Sequence, residues 1–220
     1  MKKALLFGAS GLVGGHLLNQ LINDNNYSKI KLFVRSIPEI SDPKIEIIKT
    51  DFNNLQNHKE DIKGDDCFFC IGTTKQNSPN KNEYRRVELE VPKVIAQIAK
   101  SNSVNSFVFI SSGYADPKSS VDYLKLKGEV EEELKRLSFI KLGIMRPSFL
   151  LGDRKKKRVG EKIGIFVFKL LSPLFLGPLK KMKPIDSAIV AKVMIKAANE
   201  DLQKTIFDSN EIYELYLNQT

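Results

Sequence analysis

The chain has 220 residues, 42% hydrophobic and 28% charged, with 35 Lys and Arg against 26 Asp and Glu and a formal net charge of +9. That length buries a sizeable core in a single domain, and the composition excludes disordered, collagen-like and disulfide-stapled classes. The positive charge suits an anionic partner, a membrane surface or a solvated lysine-rich exterior; its scatter, without interleaved aromatics, fits the exterior and argues against nucleic acid as a partner.

Met1-Lys2-Lys3 leads into a short apolar run that ends in glycines, not into a signal-peptide core with a cleavage site, so the expectation is a cytoplasmic protein. That run, Ala4-Leu5-Leu6-Phe7, enters Gly8-Ala9-Ser10-Gly11-Leu12-Val13-Gly14 and then a helical pattern through Ile22. Strand, glycine turn and helix at the start of the chain form the first unit of a dinucleotide-binding sheet. Gly8 allows the tight turn, Gly11 lets the backbone approach a pyrophosphate, Gly14 lets the helix pack on the sheet, and the free amides at the helix start face phosphate. The Gly-x-x-Gly-x-x-Gly spacing departs from the Gly-x-Gly-x-x-Gly of common dehydrogenases.

Periodicity predicts strands over residues 4–7, 30–34, 45–49, 67–71, 107–110 and 142–145, and helices over 14–23, 83–100 and 120–136. The alternation specifies an α/β fold, a doubly wound parallel sheet of Rossmann type, in one domain over residues 1–220. Residues 153–220 contribute a small C-terminal substrate or partner lobe. Ligands in such a sheet bind beyond the carboxyl ends of the strands, so chemistry is expected in the loops that follow them.

After the second strand comes Arg35-Ser36, where an NAD site usually places Asp or Glu for the ribose hydroxyls. A cation there suits the 2′-phosphate of NADP, with NAD and a plain surface arginine as the alternatives. Asp51-Phe52 after the third strand suits hydrogen bonding to, and flanking of, an adenine, or else an Asx turn. Cys67 and Cys70 form a Cys-x-x-Cys on a buried strand, where residues three apart face opposite sides; this points to core packing, not to redox chemistry or metal. Gly72-Thr73-Thr74 then offers a small residue and two hydroxyls where the cofactor ribose would pass. His16 and His58 are isolated and take no role, and no metal site is expected.

The fifth strand ends in Ser111-Ser112-Gly113, and about a dozen residues later Tyr123 and Lys127 stand one helical turn apart on one face. A neighbouring ammonium favours phenolate, which suits Tyr123 to give or take a proton near neutral pH. Tyr-x-x-x-Lys alone is common on exposed helices; its place after a Ser-Ser strand end in a dinucleotide-binding sheet carries the assignment.

With these pieces assembled, the chain resembles the short-chain dehydrogenase/reductase superfamily, and within it the atypical branch of the Tat-interacting, oxidoreductase-like proteins. The resemblance rests on residues 7–11, 69–74, 123–131 and 146–154 and covers about the first 155 residues. It implies that Ser10, Gly11, Leu12 and Val13 hold the pyrophosphate, Arg35 the 2′-phosphate, and Gly72 and Thr73 the ribose region. Tyr123 is implied as proton donor, Lys127 as ribose ligand and tuner of Tyr123, and Arg158 as a further cofactor contact. Two features depart from the pattern. Ser36 stands where relatives often carry a second arginine, and either Ser111 or Ser112 suits the carbonyl-polarising serine, with spacing favouring Ser112.

Beyond Gly152 the alternation fades. Arg154-Lys155-Lys156-Lys157-Arg158 suits a phosphate or free solvent. The apolar stretch over 163–179 is broken by Lys169, Pro173 and Pro178, too interrupted to span a bilayer, and reads as a lid over the cleft or as peripheral contact with a membrane or partner. Residues 184–194 read as a loop entering a packed helix. Three functions are consistent with these features: an NADP-dependent oxidoreductase acting on a small carbonyl or alcohol substrate, an NADPH-binding regulator or scaffold with a protein partner, and a sugar-nucleotide epimerase or dehydratase. The last needs a larger substrate lobe than this chain offers.

Overall fold

In the computed structural model, which describes residues 1–152 and 184–218, the chain folds around β1 (Lys2–Phe7), β2 (Tyr27–Val34), β3 (Ile45–Lys49), β4 (Asp66–Phe69), β5 (Ser106–Ile110) and β6 (Lys141–Arg146). Two short strands, β7 (Leu150–Leu151) and β8 (Ile185–Asp186), pair separately, and β9 (Ile206–Asp208) closes the main sheet. That sheet has seven parallel strands in the order β3-β2-β1-β4-β5-β6-β9. The order reverses between β1 and β4, which opens a crevice at their carboxyl ends, where the glycine turn and the loop after β4 meet.

The strands read as continuous apolar runs because both faces of a parallel sheet are covered. Ala4, Leu5, Leu6 and Phe7 are all fully buried. Leu5 and Phe7 face the layer of α3 (Val91–Ser101) and α4 (Asp122–Leu137), whereas Ala4 and Leu6 face α1 (Leu12–Asn23) and α5 (Ser187–Asn199). Phe7 stacks on its register partner Phe33 with ring centroids 4.2 Å apart. Cys67 packs on the α3/α4 side and Cys70 on the other, both as free thiols, as the strand periodicity requires.

Several expectations shift. The first helix begins at Leu12, not Gly14, and the fourth strand is Asp66–Phe69. The helix expected over 83–100 is α2 (Lys81–Arg85), a π-helical turn over Arg86–Glu90, and α3. Pro92 supplies the reason: it has no amide to donate to the Glu88 carbonyl, so the regular ladder cannot run through this point. The largest difference lies near the C-terminus, where the pattern suggested only a packed helix. That helix, α5, is present, with Asp186 capping the Ala188 amide at 2.7 Å. Beyond it, β9 pairs Ile206 with Ile144 and Phe207 with Met145, and α6 (Ser209–Leu217) follows. The Asp208/Glu211 capping box at the start of α6 was a signal visible in the sequence. Among the described residues no helix is long and apolar enough to cross a membrane. Arg158, the basic run around it and the stretch over 163–179 lie outside the described residues.

Candidate active site

The glycine turn is built by steric exclusion. Gly8 adopts φ +92°, and a Cβ there would stand 2.7 Å from the Cys70 carbonyl carbon and the Ile71 nitrogen, so β1 leaves the sheet pressed against the end of β4. A Cβ at Gly14 would lie 2.2 Å from the Gly8 oxygen, so α1 starts directly on the turn. The Gly11 amide closes the turn onto the Gly8 oxygen at 3.0 Å. Gly11 is also the N-cap of α1, which carries no side-chain cap and no acidic residue in its first turn. An electropositive helix end with no anion of its own, next to exposed Ser10, is a cradle for pyrophosphate, and this fits a dinucleotide. Leu12 is half-buried and Val13 anchors the helix in the core.

Arg35, at the end of β2, is exposed and contributes to holding the Glu83 carboxyl below its ordinary range. The chief cause of that lowering is the grip of Arg86, whose Nε and Nη2 each donate to Glu83 at 2.7 Å. Arg86 Nη1 donates to the Phe52 carbonyl at 2.7 Å. Asp51 is exposed and accepts from the Asn53 amide at 2.9 Å and from its side chain at 2.8 Å, an Asx turn that holds its carboxyl low. Phe52 has φ +63° and packs its ring into the core, 6.5 Å from Phe7.

Tyr123 is half-buried near the start of α4, and Lys127 one turn later is 2% exposed. The same face carries both, with Lys127 Nζ 5.9 Å from the Tyr123 ring centroid and 4.8 Å from that of Phe109. Gly128 allows this arrangement, since a Cβ there would lie 2.2 Å from the Pro117 nitrogen. The loop leaving Ser111-Ser112 therefore lies directly on α4, and the Asp116 amide donates to the Leu124 carbonyl at 3.1 Å.

Glu88, in the π-helical turn, lies beneath this pair at 1% exposure. Its Oε2 is 3.0 Å from Lys127 Nζ, and its Oε1 accepts the Thr73 amide at 2.5 Å. Lys127 Nζ also reaches the Ile110 carbonyl at 3.4 Å. Burial pulls the Lys127 ammonium down, but Glu88, Tyr123 and Glu131 outweigh it and hold the group above its ordinary value, charged. Gly72 and Thr73 are thus tied to Lys127 through Glu88. The sequence reading missed Glu88, because an acidic residue in an amphipathic helix reads as a solvated face.

Ser111 is buried, and its hydroxyl donates to Glu131 at 2.5 Å. Glu131, itself 1% exposed, also receives Arg146 Nε at 2.9 Å and its Nη2. Ser112 is only partly buried at the same strand end, and its hydroxyl makes no hydrogen bond to the described residues. No group of His, Cys, Asp and Glu able to hold a metal occurs among the described residues.

A family model described as NAD(P)H-binding matches residues 8–201. The chain is similar to protein FMP52-1, mitochondrial, of Scheffersomyces stipitis, at 30% identity over 97% of this chain and 98% of that protein. It is also similar to protein HTATIP2 of Rattus norvegicus, at 34% identity over 73% of this chain and 67% of that one. Among solved structures, the Bordetella bronchiseptica enzyme WbmH in complex with NAD+ superposes with a TM-score of 0.71 at 18% identity, covering 98% of this chain and 79% of that one. UDP-N-acetylglucosamine 4-epimerase from Methanobrevibacter ruminantium gives 0.71 at 18% identity, covering 98% and 80%. These structural likenesses concern the fold.

The expectation of a cytoplasmic protein is corrected by the relatives: the proteins matched over nearly the whole chain, in Scheffersomyces stipitis, Candida glabrata and Emericella nidulans, are named as mitochondrial. A short apolar strand running into glycines describes the first fold element and carries no information on compartment. The glycine cradle, the parallel sheet and the matches over nearly the whole length converge: the chain belongs to the NAD(P)H-binding family, as an atypical short-chain dehydrogenase/reductase-like protein related to HTATIP2 and FMP52.

Proposed function

We propose that the chain is an NADP(H)-dependent oxidoreductase acting on a carbonyl or alcohol carbon, in one domain whose C-terminal residues form a small substrate lobe. The observation that carries this reading is the convergence of Tyr123, Lys127 and the Gly72–Thr73 loop at the carboxyl ends of β4 and β5, next to the uncapped start of α1. When bound, the nicotinamide supplies the two-electron chemistry.

The protein's own groups do the rest. Ser10, Gly11, Leu12 and Val13 hold the pyrophosphate at the α1 amides, and exposed Arg35 meets the 2′-phosphate, with Arg86 offsetting Glu83 close by. Asp51, at the exposed edge, takes the adenine side with Phe52 behind it. Tyr123 gives or takes the proton at the substrate oxygen. Ser112 donates to that oxygen, because the Ser111 proton already serves Glu131. Lys127 meets the ribose hydroxyls and keeps a positive charge near Tyr123.

The test is fluorescence titration with NADPH and NADH, followed by turnover of an aldehyde and ketone panel by wild type and Tyr123→Phe. Loss of general acid catalysis is expected to cost about 100-fold or more in kcat; turnover unchanged in Tyr123→Phe removes this mechanism. A second reading, an NADPH-binding regulator with little catalysis, is favoured by the ion pair that neutralises Lys127. It predicts tight NADPH binding, no turnover across the panel, and a protein partner whose affinity changes with NADPH.

A further inference from the structure

The oxidoreductase reading leaves Glu88 without a role, although it is among the most buried charged residues described, at 1% exposure. It occupies a π-helical turn, and such turns often accompany functional sites. Its two oxygens face two different elements: Oε1 takes the Thr73 amide from the loop after β4 at 2.5 Å, and Oε2 meets Lys127 of α4 at 3.0 Å. A Cβ at Gly72 would make only an ordinary contact with Oε1, at 3.5 Å, so the carboxylate lies directly against this loop without crowding it.

We propose that Glu88 is a positioning residue that locks Lys127 and the Gly72–Thr73 loop into one unit, presetting the half of the site that receives the nicotinamide ribose. The inference rests on the cofactor reading above. A carboxylate shared between a backbone amide and an ammonium fixes the amide through a charge-assisted hydrogen bond and the ammonium through a buried ion pair, and burial leaves little water to substitute for either partner. Pro92 breaks the regular helix at the place where Glu88 turns toward these two groups. Without Glu88 the Lys127 stem remains packed in the core and its ammonium keeps the Phe109 and Tyr123 rings and the 3.4 Å contact to the Ile110 carbonyl, but it loses its carboxylate, and the Thr73 amide loses its acceptor.

The test compares Glu88→Gln and Glu88→Ala with wild type. Glu88→Gln keeps the shape and an acceptor for Thr73 while removing the charge. In cofactor-free protein the Thr73 amide proton resonance lies far downfield in wild type and moves upfield in Glu88→Gln. The NADPH Kd rises about tenfold in Glu88→Ala and less in Glu88→Gln, the loss of about one charge-assisted bond. Affinity for 2′,5′-ADP, which carries only the adenine half, stays within about twofold in both variants.

A Thr73 resonance unmoved in Glu88→Gln, or NADPH affinity unchanged in folded Glu88→Ala, overturns the proposal. So does an equal loss for NADPH and 2′,5′-ADP, which marks a purely structural pair. Should Glu88→Ala fail to fold, Glu88→Gln decides alone by the same two ligands. Wild type that binds neither ligand overturns the cofactor reading itself, and with it the purpose assigned to Glu88.

Discussion

Gly14 and Gly15 are neighbours in the first turns of α1, and the same substitution is expected to act with opposite sign at the two positions. A Cβ at Gly14 would stand 2.2 Å from the Gly8 oxygen, 2.8 Å from the Gly8 carbonyl carbon and 3.1 Å from Ala9 Cα. These are backbone atoms, and the Gly8 oxygen already accepts the Gly11 amide. Reaching even a 3.0 Å separation means moving the turn that leads into α1, while Gly8 lies so close to the chain leaving β4 that a Cβ on it would stand 2.7 Å from backbone atoms of Cys70 and Ile71, which leaves little room to retreat that way. Overpacking of this kind costs about 1–3 kcal/mol, and NADPH affinity is expected to fall with it. A Cβ at Gly15 meets only the Ala9 oxygen, at 3.5 Å, an ordinary contact. There the helix gains about 0.5–1 kcal/mol because glycine loses more backbone entropy than alanine on becoming helical. The assay is urea denaturation followed by NADPH titration: Gly14→Ala lowers the midpoint by about 0.5–1 M, and Gly15→Ala raises it by a few tenths, both at unchanged m. Midpoints that move in the same direction, or wild-type NADPH affinity in Gly14→Ala, refute the steric argument.

Three further outcomes are expected. Asp66 is fully buried and accepts from Tyr27 Oη at 2.6 Å, Ser106 Oγ at 2.7 Å and Lys2 Nζ at 2.9 Å. Asp66→Ala strands these donors and is expected to destabilise by about 3 kcal/mol, read as a urea midpoint, without changing NADPH affinity, because the network lies at the amino ends of the strands. Arg146→Ala leaves the buried Glu131 carboxylate with Ser111 as its hydrogen-bond donor; a loss of about 2–3 kcal/mol is expected in thermal and urea melts, and a loss under about 0.5 kcal/mol would show that water replaces the arginine. Burial pushes the Cys70 thiol up from 9.0 to about 12, with Lys127 pulling weakly the other way. The unfolded chain sheds this proton first, so its contribution to stability is complete below about pH 9 and is lost as pH rises toward about 12. Between about pH 8 and about pH 10.5, Cys70→Ala should therefore lose less stability than wild type, by at most about 1.4 kcal/mol per pH unit; identical slopes refute the assignment.

What could be read directly was local. The apolar runs of β1, β2, β4, β5 and β6, the glycine spacing at 8, 11 and 14, and the Tyr123/Lys127 face of α4 each depend on residues a few positions apart, and the structure places them as periodicity requires. Compartment was not legible, and the cytoplasmic expectation had no local signal behind it. β9 was missed because three residues are too few to show a period, and it becomes a strand only by pairing with β6. Gly128 looked like one more helical residue until the Pro117 loop was seen lying on it.

The chain by itself determined the class of sheet, its crevice and the cradle for a dinucleotide, because glycine turns and hydrophobic periods act through neighbouring residues. Only the tertiary structure decided which charges and hydroxyls meet: Glu88 with Lys127 and Thr73, and Ser111 with Glu131 and Arg146. Those contacts join residues 15 to 39 positions apart, and no period along the chain records which buried carboxylate a given ammonium or amide will face once water is excluded.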